Sequence, residues 1–279
     1  MKRPTPLLAP MLALLLTSPA LAEITPLSLI DAALAEGRLA AAGEIIRRAP
    51  LAADDPELLL RQAELALAAG RTGEAMGGFL ALIDTPAATA RAWAGMGRIR
   101  LRRNDMDGAA EALDKALGLD PGLAPARLAR AVLHDRRQQW AAADADYAAL
   151  LASNPAHPLA LANRGWSRLL RGLHAEAEAD LAAALAVLPE AAPSRPRITN
   201  NLRLARAMQG RYDEVFADSR RDRLAEDLNM VGFAAMARGD DDTAAAYFRR
   251  ALELNPRHDK VAAANLAWLE AHAKKARPQ

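Results

Sequence analysis

The amino-acid sequence predicts an all-α protein, a right-handed superhelix of about six to seven short helical hairpins with a C-terminal capping helix. Alanine and leucine dominate the 279 residues, and runs of Val, Ile and Thr are nearly absent, a composition that favours helices. Prolines also recur 34 residues apart, at Pro121, Pro155 and Pro189. Each follows an alanine-rich segment, so each marks the end of one unit. Such an internal period is typical of solenoid proteins.

A fixed pattern of small and large residues accompanies this period. In residues 90–123, Trp93 is fourth, Gly97 eighth, Ala109 twentieth and Leu113 twenty-fourth. Small residues at the eighth and twentieth positions let the two helices of a unit cross closely, because larger side chains would overpack the contact. The same pattern returns in units 124–157, 158–191 and 225–258, where it is carried by Ala131, Ala143 and Tyr147, by Gly165, Ala177 and Leu181, and by Gly232, Ala244 and Phe248.

This motif resembles the tetratricopeptide-repeat (TPR) family, and the resemblance implies a helical solenoid that binds proteins. It divides the chain into a leader, repeat units and a cap. The boundaries are 1–22 for a signal peptide, 23–89 for degenerate units, 90–191 for three well-formed units, 192–224 for an irregular unit after a proline-rich insertion, 225–258 for a further unit, and 259–279 for a capping helix and tail.

Two features of the irregular region lead to structural expectations. Pro193 and Pro196 interrupt helix propagation, so Pro189–Arg197 is predicted to be a hinge. Arg203 stands at a position that is usually small, so looser packing of its hairpin is expected. Elsewhere the aromatic residues at packing positions are expected in the core, namely Trp93, Trp140 and Tyr147. The last helix is expected to pack through Val261, Leu266, Trp268 and Leu269.

The first 22 residues predict a cleavable signal peptide. Lys2 and Arg3 precede an apolar run of about ten residues, and Ala20 and Ala22 form a small-residue cleavage signature. The run is far shorter than the ~20 residues that span a bilayer. Cleavage is expected after Ala22, which would place the protein in the periplasm. The alternative is a buried N-terminal helix.

Composition argues against several functional classes. There is no cysteine, which rules out disulfides, thiolate metal sites and a lipidated N-terminal cysteine. Without Lys2 and Arg3 the chain has 34 basic and 34 acidic residues, which gives no electrostatic case for nucleic acid or anionic membrane as partner. Metal-binding histidine spacings, phosphate loops and nucleophile elbows are lacking. We therefore expect no cofactor, no metal and no catalysis; an enzyme with an unrecognised site is the alternative.

In TPR proteins the first helix of each hairpin lines a concave groove, near the second, fifth, sixth, ninth, twelfth and thirteenth positions of each unit. The resemblance therefore implies a site for a protein or peptide segment. The family's groove positions carry over to Arg91, Arg98, Arg102, Val132, Asp135, Arg136, Asn163, Trp166, Asn200, Asn201, Leu204, Asn229 and Phe233.

Three groups within this set indicate how a ligand would be held. The asparagines can donate to and accept from an extended peptide backbone, or they tie one hairpin to the next. Trp166 and Phe233 are aromatic anchors, or they are partly buried between helices. The first three arginines suit an acidic or C-terminal carboxylate, or they form a solvated helix face.

Shorter motifs indicate which scaffold this is. Gly37-Arg38-Leu39, Asn163-Arg164-Gly165, Asn200-Asn201-Leu202, Gly210-Arg211-Tyr212 and Asn229–Phe233 resemble the TadD-type TPR proteins of Tad (tight adherence, Flp pilus) loci. The resemblance implies a periplasmic helper that places or stabilises pilus secretion components. Such proteins are usually lipoproteins, and this chain has no cysteine to lipidate. The alternative is a general adaptor for outer-membrane, cell-wall or division complexes.

Overall fold

The computed structural model describes residues 25–86, 89–217, 219–254 and 260–276, and the predicted signal peptide lies outside these ranges. Every regular element in the described ranges is an α-helix, and no helix there is long and apolar enough to cross a membrane. The helices are α1 Pro26–Ala35, α2 Leu39–Arg48, α3 Pro56–Ala68, α4 Thr72–Leu82, α5 Thr89–Arg102, α6 Met106–Leu119, α7 Ala124–Arg136, α8 Trp140–Ser153, α9 Pro158–Leu170, α10 His174–Val187, α11 Arg195–Met208, α12 Tyr212–Phe216, α13 Leu224–Ala237, α14 Asp241–Leu254 and α15 Lys260–Ala276.

The helices pair in sequence into seven hairpins, from α1/α2 to α13/α14, and α15 packs on the last one. The first helix of each hairpin also contacts the first helix of the next, from α1 to α13. The odd-numbered helices therefore form a continuous layer. This arrangement confirms the predicted superhelix of hairpins.

A residue with positive φ lies two positions after the end of each first helix and reverses the chain. In the second hairpin Gly70 has φ +79°, its N–H donates to the Leu67 carbonyl, and the Arg71 N–H donates to the Ala66 carbonyl. These two bonds form a Schellman motif, for which glycine is favoured because it lacks Cβ. The equivalent residues of the other hairpins are Gly37, Asn104, Gln138, Gly172, Gly210 and Gly239.

Helix crossings follow the predicted pattern of small and large residues. A Cβ on Gly165 would lie 2.7 Å from Leu181 Cγ, and a Cβ on Gly97 would lie 2.6 Å from Leu113 Cγ. The backbone thus contacts the large side chain of the partner helix directly. The twenty-fourth positions are fully buried in five hairpins, at Phe79, Leu113, Tyr147, Leu181 and Phe248. Burying each such side chain contributes about 1.5–3 kcal/mol to folding.

The sixth hairpin is irregular, and a buried ion pair holds it together. Helix α12 has only five residues, and Arg203 occupies the space beside it. The Arg203 guanidinium donates two hydrogen bonds to buried Asp227, both 2.7 Å long, and another to the Val215 carbonyl. A paired guanidinium thus fills the space beside the short helix, and looser packing of this hairpin stays a prediction.

The proline-rich segment before α11 is held on both sides. Ala192 is buried, and Arg195 Nη1 donates to the carbonyls of Leu185 and Leu188 at 3.0 and 2.8 Å. A Cβ on Gly37, in the first hairpin turn, would lie only 2.8 Å from Pro193 Cγ. Five hairpins thus bring the chain back to its own start. Hinge motion at this segment stays a prediction, and it would have to break these contacts.

The predicted aromatic core is confirmed only in part. Tyr147 is fully buried, whereas Trp93 and Trp140 are half-buried at the helix surface. Lys115 Nζ lies 4.4 Å from the Trp93 ring centre, and the Arg171 guanidinium carbon lies 5.7 Å from the Trp140 ring centre. Both indoles pack under cations that keep their outer faces from water.

The capping helix also departs from its predicted apolar stripe. Ala262 and Leu269 are buried and Leu266 packs against them, but Val261 and Trp268 are more than half exposed. The indole of Trp268 stacks on His272, with ring centres 3.9 Å apart. The buried stripe of α15 is thus displaced by one residue from the predicted one at its start.

Candidate protein-binding groove

A concave groove of about 740 Å³ runs along the first helices of hairpins one to five. Its apolar lining comes from all five of these helices and includes Leu34, Ala68, Leu101, Leu128, Val132 and Leu159. This volume lies within the roughly 300–1,000 Å³ that is usual for binding sites. We call this cavity the groove.

Six of the predicted site residues line the groove together: Arg91, Arg98, Arg102, Val132, Arg136 and Asn163. They come from α5, α7 and α9, three hairpins whose first helices are adjacent. The remaining predicted residues do not line it. The groove extends instead toward the first two hairpins, through Asp31 and Glu64.

Asp135 is turned away from the groove, into the helix layer. It is 9% exposed and accepts hydrogen bonds from Tyr147 Oη at 2.8 Å and Ser167 Oγ at 2.6 Å. Burial raises the pKa of its carboxyl group, and the two donors oppose that shift. Asp135 thus ties α7 to α8 and α9 and is not placed to meet a ligand in the groove.

The predicted residues of α11 and α13 lie beyond the groove. Asn200 Oδ1 accepts a hydrogen bond from Arg223 Nη2 at 2.7 Å, so this amide connects α11 to the start of α13. Leu204 packs against buried residues, and Asn201 and Asn229 are half-buried. Phe233, and Trp166 in α9, are about 40% exposed and remain open to a partner that extends past the groove.

Two of the groove arginines have a repeated structural role. Arg102 Nη1 donates to the Leu67 carbonyl, and Arg136 Nη1 donates to the Leu101 carbonyl, both at 2.8 Å. The two arginines are 34 residues apart, and each reaches the C-terminal end of the preceding first helix. A cation there satisfies an orphan carbonyl and interacts favourably with the helix dipole.

Arg91 is also paired within the protein. It contacts Glu64, at 2.7 Å from Nη2 to Oε2, and Asp31, at 3.3 Å from Nη2 to Oδ1. Burial raises the pKa of the Glu64 carboxyl group, and Arg91 opposes that shift. This network joins the first three hairpins along one wall of the groove.

Arg98 differs from the other three arginines. Within the described residues it makes no hydrogen bond and no ion pair, although it is only partly exposed. Burial lowers the pKa of its guanidinium; the nearby Glu64 charge opposes this and Arg102 adds to it. Its charge is therefore available inside the groove.

Several groove residues were missed by the sequence analysis, which applied the family's positions only from residue 90 onward. Glu64 and Ala68 stand at the ninth and thirteenth positions of unit 56–89, so the same rule would have found them. Leu128 and Leu159 also stand at groove positions of their units. Asp31 lies in the most degenerate unit, where the repeat supplies no reliable register.

Comparison with known families and structures identifies the repeat. Tetratricopeptide-repeat models match residues 60–124, 128–196 and 225–258, together more than half of the chain. Comparison with curated protein sequences finds no match. In the part of the chain that the structure describes, no group of three or more His, Asp or Glu side chains is placed to hold a metal ion.

Solved structures share the fold at low sequence identity. A chain of the Cut9–Hcn1 hetero-tetramer of the APC/C has a TM-score of 0.63 at 17% identity; the match covers 90% of this chain but only 49% of that one. PilW, a type IV pilus biogenesis factor, has a TM-score of 0.58 at 20% identity, covering 77% of this chain and all of PilW. A tetratricopeptide-repeat protein of Parabacteroides merdae has a TM-score of 0.50 at 16% identity, with 88% and 97% covered.

Three observations indicate the same fold: the matched repeats, the glycines where helices cross, and the continuous layer of first helices. The chain belongs to the tetratricopeptide-repeat proteins.

Proposed function

We propose that this protein is a non-catalytic periplasmic scaffold whose groove holds a segment of another protein. The observation that carries the proposal is the groove itself, in which five successive first helices present apolar side chains, four arginines and two carboxylates to one open concave surface. Tetratricopeptide repeats mediate protein–peptide interaction, and proteins built from them are generally scaffolds. A preformed concave surface binds without the entropic cost of ordering itself.

Site-specific photocrosslinking in cells tests this proposal. A photoreactive amino acid at Val132 would lie inside the groove, and one at Leu119, which is 58% exposed at the end of a second helix, serves as the matched control. We expect a defined set of proteins to be captured at position 132 only. Equal capture at both positions, or none at either, would contradict a binding groove.

The location rests on the leader sequence described above. Mature protein is expected to begin at Glu23 and to be released with the periplasmic fraction. N-terminal sequencing of protein purified from that fraction tests this. A chain that keeps Met1 and stays in the cytoplasm would exclude the periplasmic role.

The assignment to assembly of a Tad/Flp-type pilus rests on the TadD-like motifs of the sequence. PilW, which shares the fold, is a type IV pilus biogenesis factor, but an identity of 20% supports the fold alone. Deletion of the gene is expected to reduce surface pili and adherence. Normal pili with a weakened envelope would favour the alternative, a general adaptor for outer-membrane, cell-wall or division complexes.

A further inference from the structure

Arg98 lines the groove together with apolar side chains. Leu101 follows it on α5, and Leu128 and Val132 of α7 line the same cavity. Burial penalises the charged guanidinium, as the lowered pKa of Arg98 reflects. A buried cation with no counter-ion is unfavourable in the free protein and becomes favourable once an anion pairs with it.

The acidic residues of the groove do not supply that anion. Both oxygens of Glu64 accept hydrogen bonds from Arg91, at 3.2 and 2.7 Å, and Asp31 pairs with Arg61 and Arg91. Glu64 influences Arg98 through space, but it lies beyond the 4.0 Å of an ion pair. The position beside the Arg98 guanidinium is therefore open to an anion from outside.

The charges lining the groove are also unbalanced. Four arginines face it, whereas only Asp31 and Glu64 carry carboxylates, which leaves an excess of two positive charges. Burial lowers the pKa of His157, so its ring adds no charge at neutral pH. The excess lies inside a cavity whose walls are largely apolar, where an ionic contact is screened less than at the surface.

We infer that the groove selects a polypeptide segment in which one carboxylate stands among apolar side chains, and that this carboxylate accepts hydrogen bonds from Arg98. The apolar side chains would pack on Leu101, Leu128, Val132 and Leu159, which a purely acidic segment would leave uncovered. This inference rests on the proposed function. The carboxylate is that of an Asp or Glu side chain, because the groove extends on both sides of α5 and a bound segment therefore continues past Arg98 in both directions.

Selection from a random twelve-residue peptide library provides the test. Purified protein is immobilised, and enriched peptides are sequenced in two arms, one with free and one with amidated C termini. We expect enrichment of one acidic position flanked by apolar residues. Enrichment of apolar peptides only in the arm with free C termini would show that the ligand is a chain terminus, and it would overturn the assignment to a side chain.

Variants of Arg98 test whether the preference for an acidic position depends on this residue. Arg98→Gln removes the charge and is expected to weaken selected peptides about 10- to 100-fold, as for loss of a hydrogen bond to a charged group. Arg98→Lys keeps the charge and should retain the acidic preference. Arg249→Gln removes an arginine of α14 that is 59% exposed and outside the groove, and it should change neither affinity nor preference.

The outcomes distinguish the role of Arg98 from the more general proposal that the groove binds a polypeptide. Apolar peptides without acidic enrichment, bound equally by wild type and Arg98→Gln, would overturn the role of Arg98 while leaving a binding groove. No enriched peptide in either arm would count against both. Melting curves of each variant establish that a loss of binding is not a loss of fold.

Discussion

Gly37 and Pro193 lie against each other, although 156 positions separate them in the sequence. A Cβ placed on Gly37 would be 2.8 Å from Pro193 Cγ and 3.9 Å from Pro193 Cβ. The first belongs to the turn of the first hairpin, and the second to the segment between the fifth and sixth. Through this contact, hairpins one to five encircle the groove.

The contact predicts that a disulfide can be formed between positions 37 and 193, which would hold the first hairpin against the segment after the fifth. The 3.9 Å between Cβ positions falls within the ~3.5–4.5 Å that a disulfide needs, and the chain has no other cysteine. Gly37→Cys combined with Pro193→Cys should form an intramolecular bond under oxidation. Because the closed loop is long, we expect a gain of about 4 kcal/mol in unfolding free energy, less about 1–3 kcal/mol for a non-glycine residue at positive φ.

Thiol titration and the melting temperatures of oxidised and reduced protein measure this effect. Gly70→Cys with Pro193→Cys is the matched control, because Gly70 has a similar φ of +79° but nothing lies within 4 Å of its Cβ position. Free thiols in the Gly37→Cys/Pro193→Cys variant, or a disulfide in both variants, would contradict the contact between Gly37 and Pro193.

Close helix crossing predicts opposite effects at two glycines. Gly165→Ala should destabilise the protein by about 1–3 kcal/mol, because the new methyl group would meet Leu181 Cγ at 2.7 Å. Gly118→Ala, in α6 with nothing within 4 Å, should stabilise it by about 0.5–1 kcal/mol. Urea unfolding measures the free energy of unfolding of both variants. Equal changes in this free energy would contradict the close contact between Gly165 and Leu181.

The buried pair in the irregular hairpin predicts a large coupling energy. Arg203→Ala would leave Asp227, which is 0% exposed, with the hydroxyl of Ser219 at 2.6 Å but no cation. We expect a loss of about 3–5 kcal/mol. Replacing both residues, as Arg203→Met and Asp227→Leu, should recover most of it. A double-mutant cycle by urea unfolding tests this, and additive effects would show that the pair is not coupled.

The contacts of Glu178 predict a pH-dependent stability. Arg211, with Gln209 and Arg206, lowers the pKa of the Glu178 carboxyl group from 4.5 to about 2. A lowered pKa stabilises the fold above the unfolded value, and this contribution is lost as pH falls from about 4.5 toward 2. Glu178→Gln should therefore be less stable than wild type at pH 7, with the gap shrinking below pH 4.5.

Free energies of unfolding at pH 7, 5 and 3 measure this gap. Glu253→Gln is the control, since its ion pair with Arg250 is more than 60% exposed at both side chains and contributes little. A gap for Glu178→Gln that does not change with pH would argue against the ionic origin of the contact.

Local patterns in the sequence suffice to predict the hairpins and the stacking of neighbouring hairpins. Gly165 and Leu181 belong to one hairpin, and Gly172 sets its turn through local backbone geometry. Such contacts span fewer than 20 residues and repeat every 34, so a pattern in the sequence suffices to locate them. The same repeat placed Arg98, Val132 and Asn163 on the inner helices, because position within a hairpin decides which face is concave.

Other contacts depend on the accumulated curvature of the superhelix and on the direction of single side chains, and these became visible in the three-dimensional fold alone. Successive hairpins are rotated slightly relative to one another, and over five hairpins this rotation brings Pro193 to Gly37. No short sequence motif predicts the total rotation. Asp135 stands at a groove position yet turns toward Tyr147, and Arg91 finds a carboxylate whereas Arg98 does not. The repeat fixes where a Cα lies, but pairing within 4 Å depends on side-chain torsions and on partners far away in the sequence.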